Sequence, residues 1–66
     1  MNISIHQEKK EVTSQVLAEI LRELGVLDTR GIAIAVNQKV VPRSQWSSYE
    51  VSENDNLTVN QATQGG

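Results

Sequence analysis

The residues of this chain that are best suited to chemistry are its last two, Gly65 and Gly66. Two consecutive glycines give a thin backbone without Cβ atoms, which can enter a narrow channel and bring a terminal carboxylate close to another protein's catalytic groups. If residues 61–66 are extended, they reach about 20 Å, at ~3.3–3.6 Å per residue, which is enough to leave a small globule. The alternative is that the diglycine is an inert, frayed end. The rest of the chain has to decide between these two interpretations.

The composition excludes most other kinds of site. The chain has no cysteine and a single histidine, His6, which excludes disulfides, thiolate zinc sites, cysteine nucleophiles and multi-histidine metal sites. The net charge of −2 argues against a nucleic-acid partner. No signal peptide is visible, and the longest apolar run, residues 32–36, is far shorter than the ~20 residues that span a bilayer. We therefore expect a small, soluble, cytoplasmic domain with no membrane partner.

Residues 1–6 predict the first strand, because apolar and polar side chains alternate along them. Ile3 faces the core in this interpretation, and His6 lies on the polar face as a solvated surface residue. The polar stretch at residues 7–10 predicts a hairpin loop, and a short second strand is expected at about residues 9–12.

A helix is predicted to follow. The hydroxyl of either Thr13 or Ser14 can be its N-cap, with Ser14 favoured, and Gly25 is its C-terminal stop. Glu19 and Glu23 fall on its opposite, solvated side. Its apolar face has helical spacing and consists of Val16, Leu17, Ile20, Leu21 and Leu24.

The second half of the chain predicts three more strands. Residues 32–36 are apolar on both faces, as a covered central strand would be. Asn37-Gln38 predicts a tight hairpin turn into a short strand at residues 39–41, which Pro42 ends. Residues 57–60 alternate again and lead directly into the C-terminal segment.

This order of elements predicts an α+β fold of the β-grasp (ubiquitin-like) class, a mixed sheet with one main helix on one face. Residues 1–62 would form the domain and residues 63–66 a flexible tail. The last strand would lie between the first and third strands. Since a single helix covers only one side of the sheet, we expect the small apolar residues of the other side to dock a partner, and these are Ala33, Ala35 and Val40.

Residues 36–46, Val-Asn-Gln-Lys-Val-Val-Pro-Arg-Ser-Gln-Trp, closely resemble the thiamine-biosynthesis sulfur-carrier (ThiS) family. The helix at residues 19–24, the acidic turn before the last strand and the terminal diglycine fall in matching places, so the resemblance covers the whole chain. One departure is the turn at Asn54-Asp55, where the family favours Asp-Gly-Asp. Another is the polar stretch at residues 60–64, where the family is usually rich in Val and Ile.

The resemblance implies that the protein is a carrier and co-substrate, and not itself an enzyme. An E1-like (ThiF-like) adenylyltransferase, using ATP and magnesium, would join the Gly66 carboxylate to AMP. A persulfide sulfur supplied through a cysteine desulfurase would then displace AMP, and a ThiG-like thiazole synthase would take the sulfur from the resulting thiocarboxylate. The carrier itself would bind no cofactor and no metal.

Three alternatives are compatible with the same C-terminal diglycine, and the first two of these families share it. A molybdopterin-type sulfur carrier usually has a longer, more aromatic chain, whereas this chain has no Phe. A ubiquitin-like protein modifier would attach Gly66 to lysines of other proteins. A plain interaction domain would leave its tail inert.

Overall fold

The computed structural model describes residues 1–61, which form one five-stranded sheet and one α-helix. The strand order in the sheet is β2-β1-β5-β3-β4; β1 and β5 are parallel, whereas the other neighbouring strands are antiparallel. This is the predicted α+β, β-grasp arrangement with a mixed sheet. Its elements are β1 (Asn2–Ile5), β2 (Glu8–Glu11), α1 (Leu17–Glu23), β3 (Ile32–Val36), β4 (Lys39–Val41), a short 3-10 helix (Arg43–Gln45) and β5 (Asn56–Gln61).

The two hairpins, β1–β2 and β3–β4, have turns of the same type. Asn37 and Gln38 have φ values of 51° and 72°, and His6 and Gln7 have φ values of 50° and 70°. Positive φ at both central residues is the mark of the two-residue type I′ turn, whose twist matches that of the flanking strands. The Asn37-Gln38 turn is confirmed. The loop predicted at residues 7–10 is wrong, because a two-residue turn at His6-Gln7 lets β2 start at once.

The predicted Ser14 N-cap is also wrong. The helix begins at Leu17, and the Ser14 hydroxyl instead accepts a hydrogen bond from the Val16 N–H at 3.1 Å. The first N–H groups of the helix are satisfied by distant backbone carbonyls: Leu17 N–H donates to Tyr49 O and Ala18 N–H donates to Trp46 O. With these tertiary partners the helix start needs no side-chain cap.

Gly25 ends the helix as predicted. It has a φ of 78°, and its N–H donates to Arg22 O, while Val26 N–H reaches back to Leu21 O. These two bonds form a Schellman motif, which satisfies carbonyls at the end of the helix and favours glycine at the left-handed position. The chain then turns back beneath the helix, where Val26 and Leu27 pack against the core.

The core lies between the helix and one face of the sheet. The buried side chains of α1 meet the inward residues of β1, β3 and β5, and Trp46 closes the edge near β4 with its indole N–H donating to Val41 O at 2.8 Å. Its fully or almost fully buried members are Ile3, Val12, Leu17, Ile20, Leu21, Ile34, Val36, Val41, Trp46, Val51 and Leu57.

Glu23 lies on the exposed side of the helix, but it is more than a solvated charge. Its carboxylate accepts hydrogen bonds from the N–H of Thr13 (3.0 Å), the Thr13 hydroxyl (2.8 Å) and the N–H of Ser14 (3.2 Å). These donors, the Thr13 backbone first among them, hold the pKa of the Glu23 carboxyl below its ordinary value. The carboxylate therefore fastens the segment before the helix to the last turn of the helix.

We predict that Leu21→Ala lowers the free energy of unfolding by about 2–5 kcal/mol, because Leu21 is fully buried and truncation leaves a cavity. Chemical denaturation followed by circular dichroism measures the change. Val40→Ala is the control, because Val40 is 71% exposed and surface truncations cost no more than about 0.5 kcal/mol. Equal denaturation midpoints for Leu21→Ala and the wild type would contradict this placement of Leu21.

We predict that Glu23 makes stability depend on pH in the acid range. A carboxyl whose pKa is lowered by folding stabilises the protein above its unfolded pKa, about 4.3, and this contribution is lost as the pH falls through the folded pKa. Glu23→Gln should thus be less stable than the wild type at neutral pH, and the difference should shrink below about pH 4. Urea denaturation between neutral and acid pH measures it, with Glu19→Gln as the control on the same helix. A difference that stays constant with pH would refute the linkage.

Candidate functional site: the last strand and the open face of the sheet

The strand β5 is the element from which the C-terminal segment leaves. It lies in the middle of the sheet, where its pairing with β3 runs from Val36↔Leu57 to Ile32↔Gln61. Its parallel pairing with β1 is shorter and ends at Ile5↔Leu57. The beginning of β5, as far as Leu57, therefore has a strand on both sides. From there to Gln61, β5 is paired only with β3.

The turn before β5 is held by a cluster of polar side chains. Asp55 accepts from Ser52 N–H at 2.8 Å and from the Asn37 side-chain amide at 3.0 Å, while the Asn37 side-chain oxygen accepts from Asn56 N–H at 3.0 Å. Asn54 has a φ of 69°. Asparagine adopts this left-handed conformation more readily than most residues, so the turn keeps its shape without the glycine of the family pattern.

The diglycine lies outside the described residues. Gly65 and Gly66 were predicted to be the reacting end of the chain, and that assignment stays a prediction, as does the boundary between a domain at residues 1–62 and a tail at residues 63–66. The structure describes the chain as far as Gln61, the last residue of β5. The position of Gln61 is therefore the point from which the segment 62–66 starts.

The three residues predicted to dock a partner do lie together on the face of the sheet opposite the helix. We call Ala33, Ala35 and Val40 the open-face patch. Ala35 is paired with Val40 on one side and with Thr58 of β5 on the other. Val40 is 71% exposed, Ala33 is exposed and Ala35 is half-buried. Trp46 and Tyr49 pack against the core on the helix side, so these two aromatic side chains leave the patch uncovered.

The open-face patch borders the end of β5. Ala33 pairs with Asn60, the residue before the last one of the strand. Across the same face, polar side chains replace the apolar ones towards β1, where Ser4 occupies an outward position beside Asn56. The exposed apolar surface of the sheet is thus concentrated next to the place where the C-terminal segment leaves.

His6 makes a contact that the sequence did not reveal. Its Nε2 atom lies 3.0 Å from Val59 O and 3.3 Å from Val59 N, although the two residues are far apart in the chain. The side chain is exposed, as predicted, but it is bonded to β5 and is not simply solvated. Its place in a turn and not on a strand is what points the ring at β5.

An open groove of about 300 Å³ lies on the helix side of the sheet, beside the end of β5. Its walls are mainly apolar, and Lys10 and His6 supply the polar groups. The residues that line it are Ile5, His6, Lys10, Leu24, Val26 and Val59.

Within residues 1–61, no group of His, Cys, Asp and Glu side chains is arranged to hold a metal ion. Over the same part of the chain, the one α-helix is too short and too polar to cross a bilayer.

Comparison with known proteins agrees with this geometry. A model of the ThiS family matches residues 3–66. This chain belongs to the ThiS family. The sulfur carrier protein ThiS of Escherichia coli (strain K12) is 36% identical to it over 52 residues, which cover 79% of this chain and 77% of that protein. The crystal structure of a thiamine biosynthesis protein (ThiS) from Geobacter metallireducens has a TM-score of 0.85 over 100% of both chains, at 22% identity, and so supports the fold.

In this ThiS-family chain, the motif that suggested the family has a structural role. Pro42 precedes the 3-10 helix, and Arg43 lies over the Trp46 ring at 4.6 Å and donates to Thr29 O at 3.3 Å. The Trp46 carbonyl receives the Ala18 N–H at the helix start. The motif thus joins β4 to the helix.

Proposed function

We propose that this protein is a sulfur carrier for the biosynthesis of the thiazole of thiamine, and that the carboxylate of Gly66 carries the sulfur. The observation that supports this most is the family match, which runs from residue 3 to residue 66 and so includes the diglycine. The position of β5 adds a second argument. A strand in the middle of the sheet gives the C-terminal segment a rigid anchor, which a carrier needs in order to deliver a terminal carboxylate to another enzyme.

The chemistry follows from the low reactivity of a carboxylate. A terminal carboxyl group has a pKa of about 3.3–3.7 and is an anion at neutral pH, which makes its carbon a poor electrophile. In the proposal, one carboxylate oxygen attacks the α-phosphorus of ATP on a partner enzyme, and magnesium pyrophosphate leaves. The Gly66 carbonyl carbon is then joined to AMP, a good leaving group.

Sulfur enters in the next step of the proposal. The terminal sulfur of a protein persulfide attacks the Gly66 carbonyl carbon, and AMP leaves with the electrons of the broken C–O bond. A second thiol then attacks the S–S bond of the acyl disulfide, so that a disulfide forms and the thiocarboxylate is released. The persulfide derives from cysteine through a desulfurase, and a thiazole synthase accepts the sulfur.

The protein acts here as a co-substrate that the E1-like adenylyltransferase and the thiazole synthase must each recognise. The open-face patch is our candidate for that recognition, because it is apolar, exposed and next to the end of β5. ATP and magnesium belong to the adenylating enzyme, and the carrier holds neither.

Intact mass measured on the protein from its own cells separates the proposal from the alternatives. Replacement of one oxygen by sulfur at the C-terminus supports a carrier. Covalent conjugates of high mass would instead indicate a protein modifier, and an unmodified chain in cells making thiamine would favour an inert domain. Sulfur loading that depends on molybdopterin synthesis and not on thiamine synthesis would assign the carrier to the other pathway.

We predict that Gly66→Ala abolishes thiocarboxylate formation, because a Cβ adds bulk and restricts φ in a channel shaped for bare backbone. A misplacement of roughly 1 Å can cost about a hundredfold in rate. The measurement is ATP–pyrophosphate exchange with the cognate adenylating enzyme, with thermal melts in parallel. The melting temperature should not change, because the substitution lies beyond the last strand of the sheet.

An added Gly after Gly66 tests the position of the carboxylate without adding a side chain. It moves the reacting group by about 3.5 Å and should also abolish loading. Normal pyrophosphate exchange and normal sulfur loading with this extended chain would overturn the proposed function itself, because the carboxylate of Gly66 would then not be the reacting group.

We predict that Ala35→Glu weakens binding to both partner enzymes by at least about tenfold, since it places a charge in the centre of the open-face patch and charge desolvation is costly. Isothermal titration calorimetry with each enzyme measures the change. Ser4→Glu is the matched control, since it puts the same charge on the same face two strands away.

Val40→Glu serves as a second test of the patch, because Val40 lies on the edge strand and its exposure makes a charged side chain easy to accommodate. If folded Ala35→Glu and Val40→Glu variants both bind the two enzymes as the wild type does, the docking proposal is wrong, while the proposal about Gly66 is unaffected.

A further inference from the structure

The end of β5 has an unusual neighbour on its β1 side. The β1–β5 ladder stops at Ile5↔Leu57, and β1 then turns away at His6. The backbone N–H and C=O of Val59 would meet a further residue of β1 if that strand continued. The Nε2 atom of His6 takes that position, at 3.0 Å from Val59 O and 3.3 Å from Val59 N.

A single ring nitrogen can serve either backbone group. When Nε2 carries a proton it donates to Val59 O, and in the other neutral tautomer it accepts from Val59 N–H. The imidazole therefore stands in for a strand residue, and it can keep one hydrogen bond to β5 in each neutral tautomer.

The conformation of His6 suggests that its side chain matters at this position. Its φ of 50° is one that Asn, Asp and Gly adopt most readily in two-residue hairpin turns. In the matching turn, Asn37 has a φ of 51°, and its side chain also reaches β5, at Asn56 N–H. The first residue of each hairpin turn thus binds β5, one at the start of the strand and the other near its end.

We propose that His6 is a positioning residue for the C-terminal carboxylate. Its ring holds β5 in line beyond the end of β1 and so sets the direction in which the chain leaves the sheet at Gln61. This inference rests on the proposed function, because direction matters only if the carboxylate has to reach a reacting group. It assigns His6 a role separate from the open-face patch, which binds partners without fixing the end of β5.

The test compares His6→Asn with His6→Gln. Asn favours the φ of this turn but is too short to place a polar atom where Nε2 lies, so it keeps the turn and removes the contact. Gln carries a donor and an acceptor at about the reach of Nε2, and Gln7 and Gln38 show that glutamine adopts positive φ in these turns. A role confined to the turn predicts that His6→Asn behaves as the wild type.

Measurements on Val59 report on the contact between His6 and β5, and kinetics report on the placement of the carboxylate. In His6→Asn, we expect the loss of one hydrogen bond to Val59. Where Nε2 accepts from the Val59 N–H, this amide exchanges about two- to tenfold faster; where Nε2 donates to Val59 O, the carbonyl 13C resonance of Val59 shifts. We expect kcat for adenylation to fall by about five- to a hundredfold, because a small misplacement of the carboxylate slows the reaction. KM should stay within about twofold, because docking uses the sheet face. His6→Gln should restore most of kcat.

If the amide exchange and the carbonyl 13C resonance of Val59 are both unchanged in His6→Asn, the inference is overturned, because together they report on the two groups that Nε2 can bind. A lost contact with an unaltered kcat also overturns it. If the adenylating enzyme fails to act on the wild-type protein, the proposed function is wrong, and residual dipolar couplings of Asn60 and Gln61 decide about His6 alone. Couplings that change in His6→Asn and return in His6→Gln support its control of the end of β5; couplings that stay the same overturn it.

Discussion

The parallel pairing of β5 with β1 is the interaction on which the rest of this structure depends. It consists of Ser4↔Asn56 and Ile5↔Leu57, and it joins the two ends of the chain in one sheet. Parallel neighbours need a crossover connection, and here the connection contains the helix and the β3–β4 hairpin. Because the crossover carries the helix to one face only, the apolar side chains of that face form the core and the other face stays open. The central place of β5 and the existence of an open-face patch are thus consequences of one pairing.

The helix shows how little local structure supports this fold. Seven residues are too few for a stable helix in isolation, where roughly 12–15 are needed even for favourable sequences. Its start is satisfied by the carbonyls of Trp46 and Tyr49, and its end by the Schellman bonds around Gly25. The segment that follows β4 is therefore as necessary to the helix as the helix's own sequence. Because Trp46 is buried and its carbonyl accepts a hydrogen bond from the helix start, the motif around it has a structural role.

Features with local causes could be predicted from the sequence, whereas most individual contacts between distant residues could not. The place of β5 between β1 and β3 was predicted only through the order of the elements and the β-grasp arrangement. Alternation placed Ile34 inward and Ala35 outward, and Asn37-Gln38 identified its own turn, because these signals lie within a few residues. Two of the errors involve distant partners, whereas the loop predicted at residues 7–10 was an error about a local turn. Ser14 has a side chain suited to an N-cap, but the first N–H groups of the helix donate to the carbonyls of Trp46 and Tyr49. His6 fits a solvated strand end, yet its partner Val59 is 53 residues away in the chain. The proposed reacting end, Gly65 and Gly66, was predicted from residue type and from the family resemblance, and it lies beyond the described residues.

The same distinction bears on how the last strand is held. In the proposed function, a terminal group has to be placed inside another protein, and this would require the strand before that group to be held firmly. The core contributes through Leu57, which is fully buried, and β3 contributes through its ladder to Gln61. Polar side chains from the two hairpin turns add to this where no strand is available, Asn37 at the beginning of β5 and His6 near its end. Hairpin turns are usually free to vary, and here their geometry is tied to β5 because their first residues are the ones that reach it.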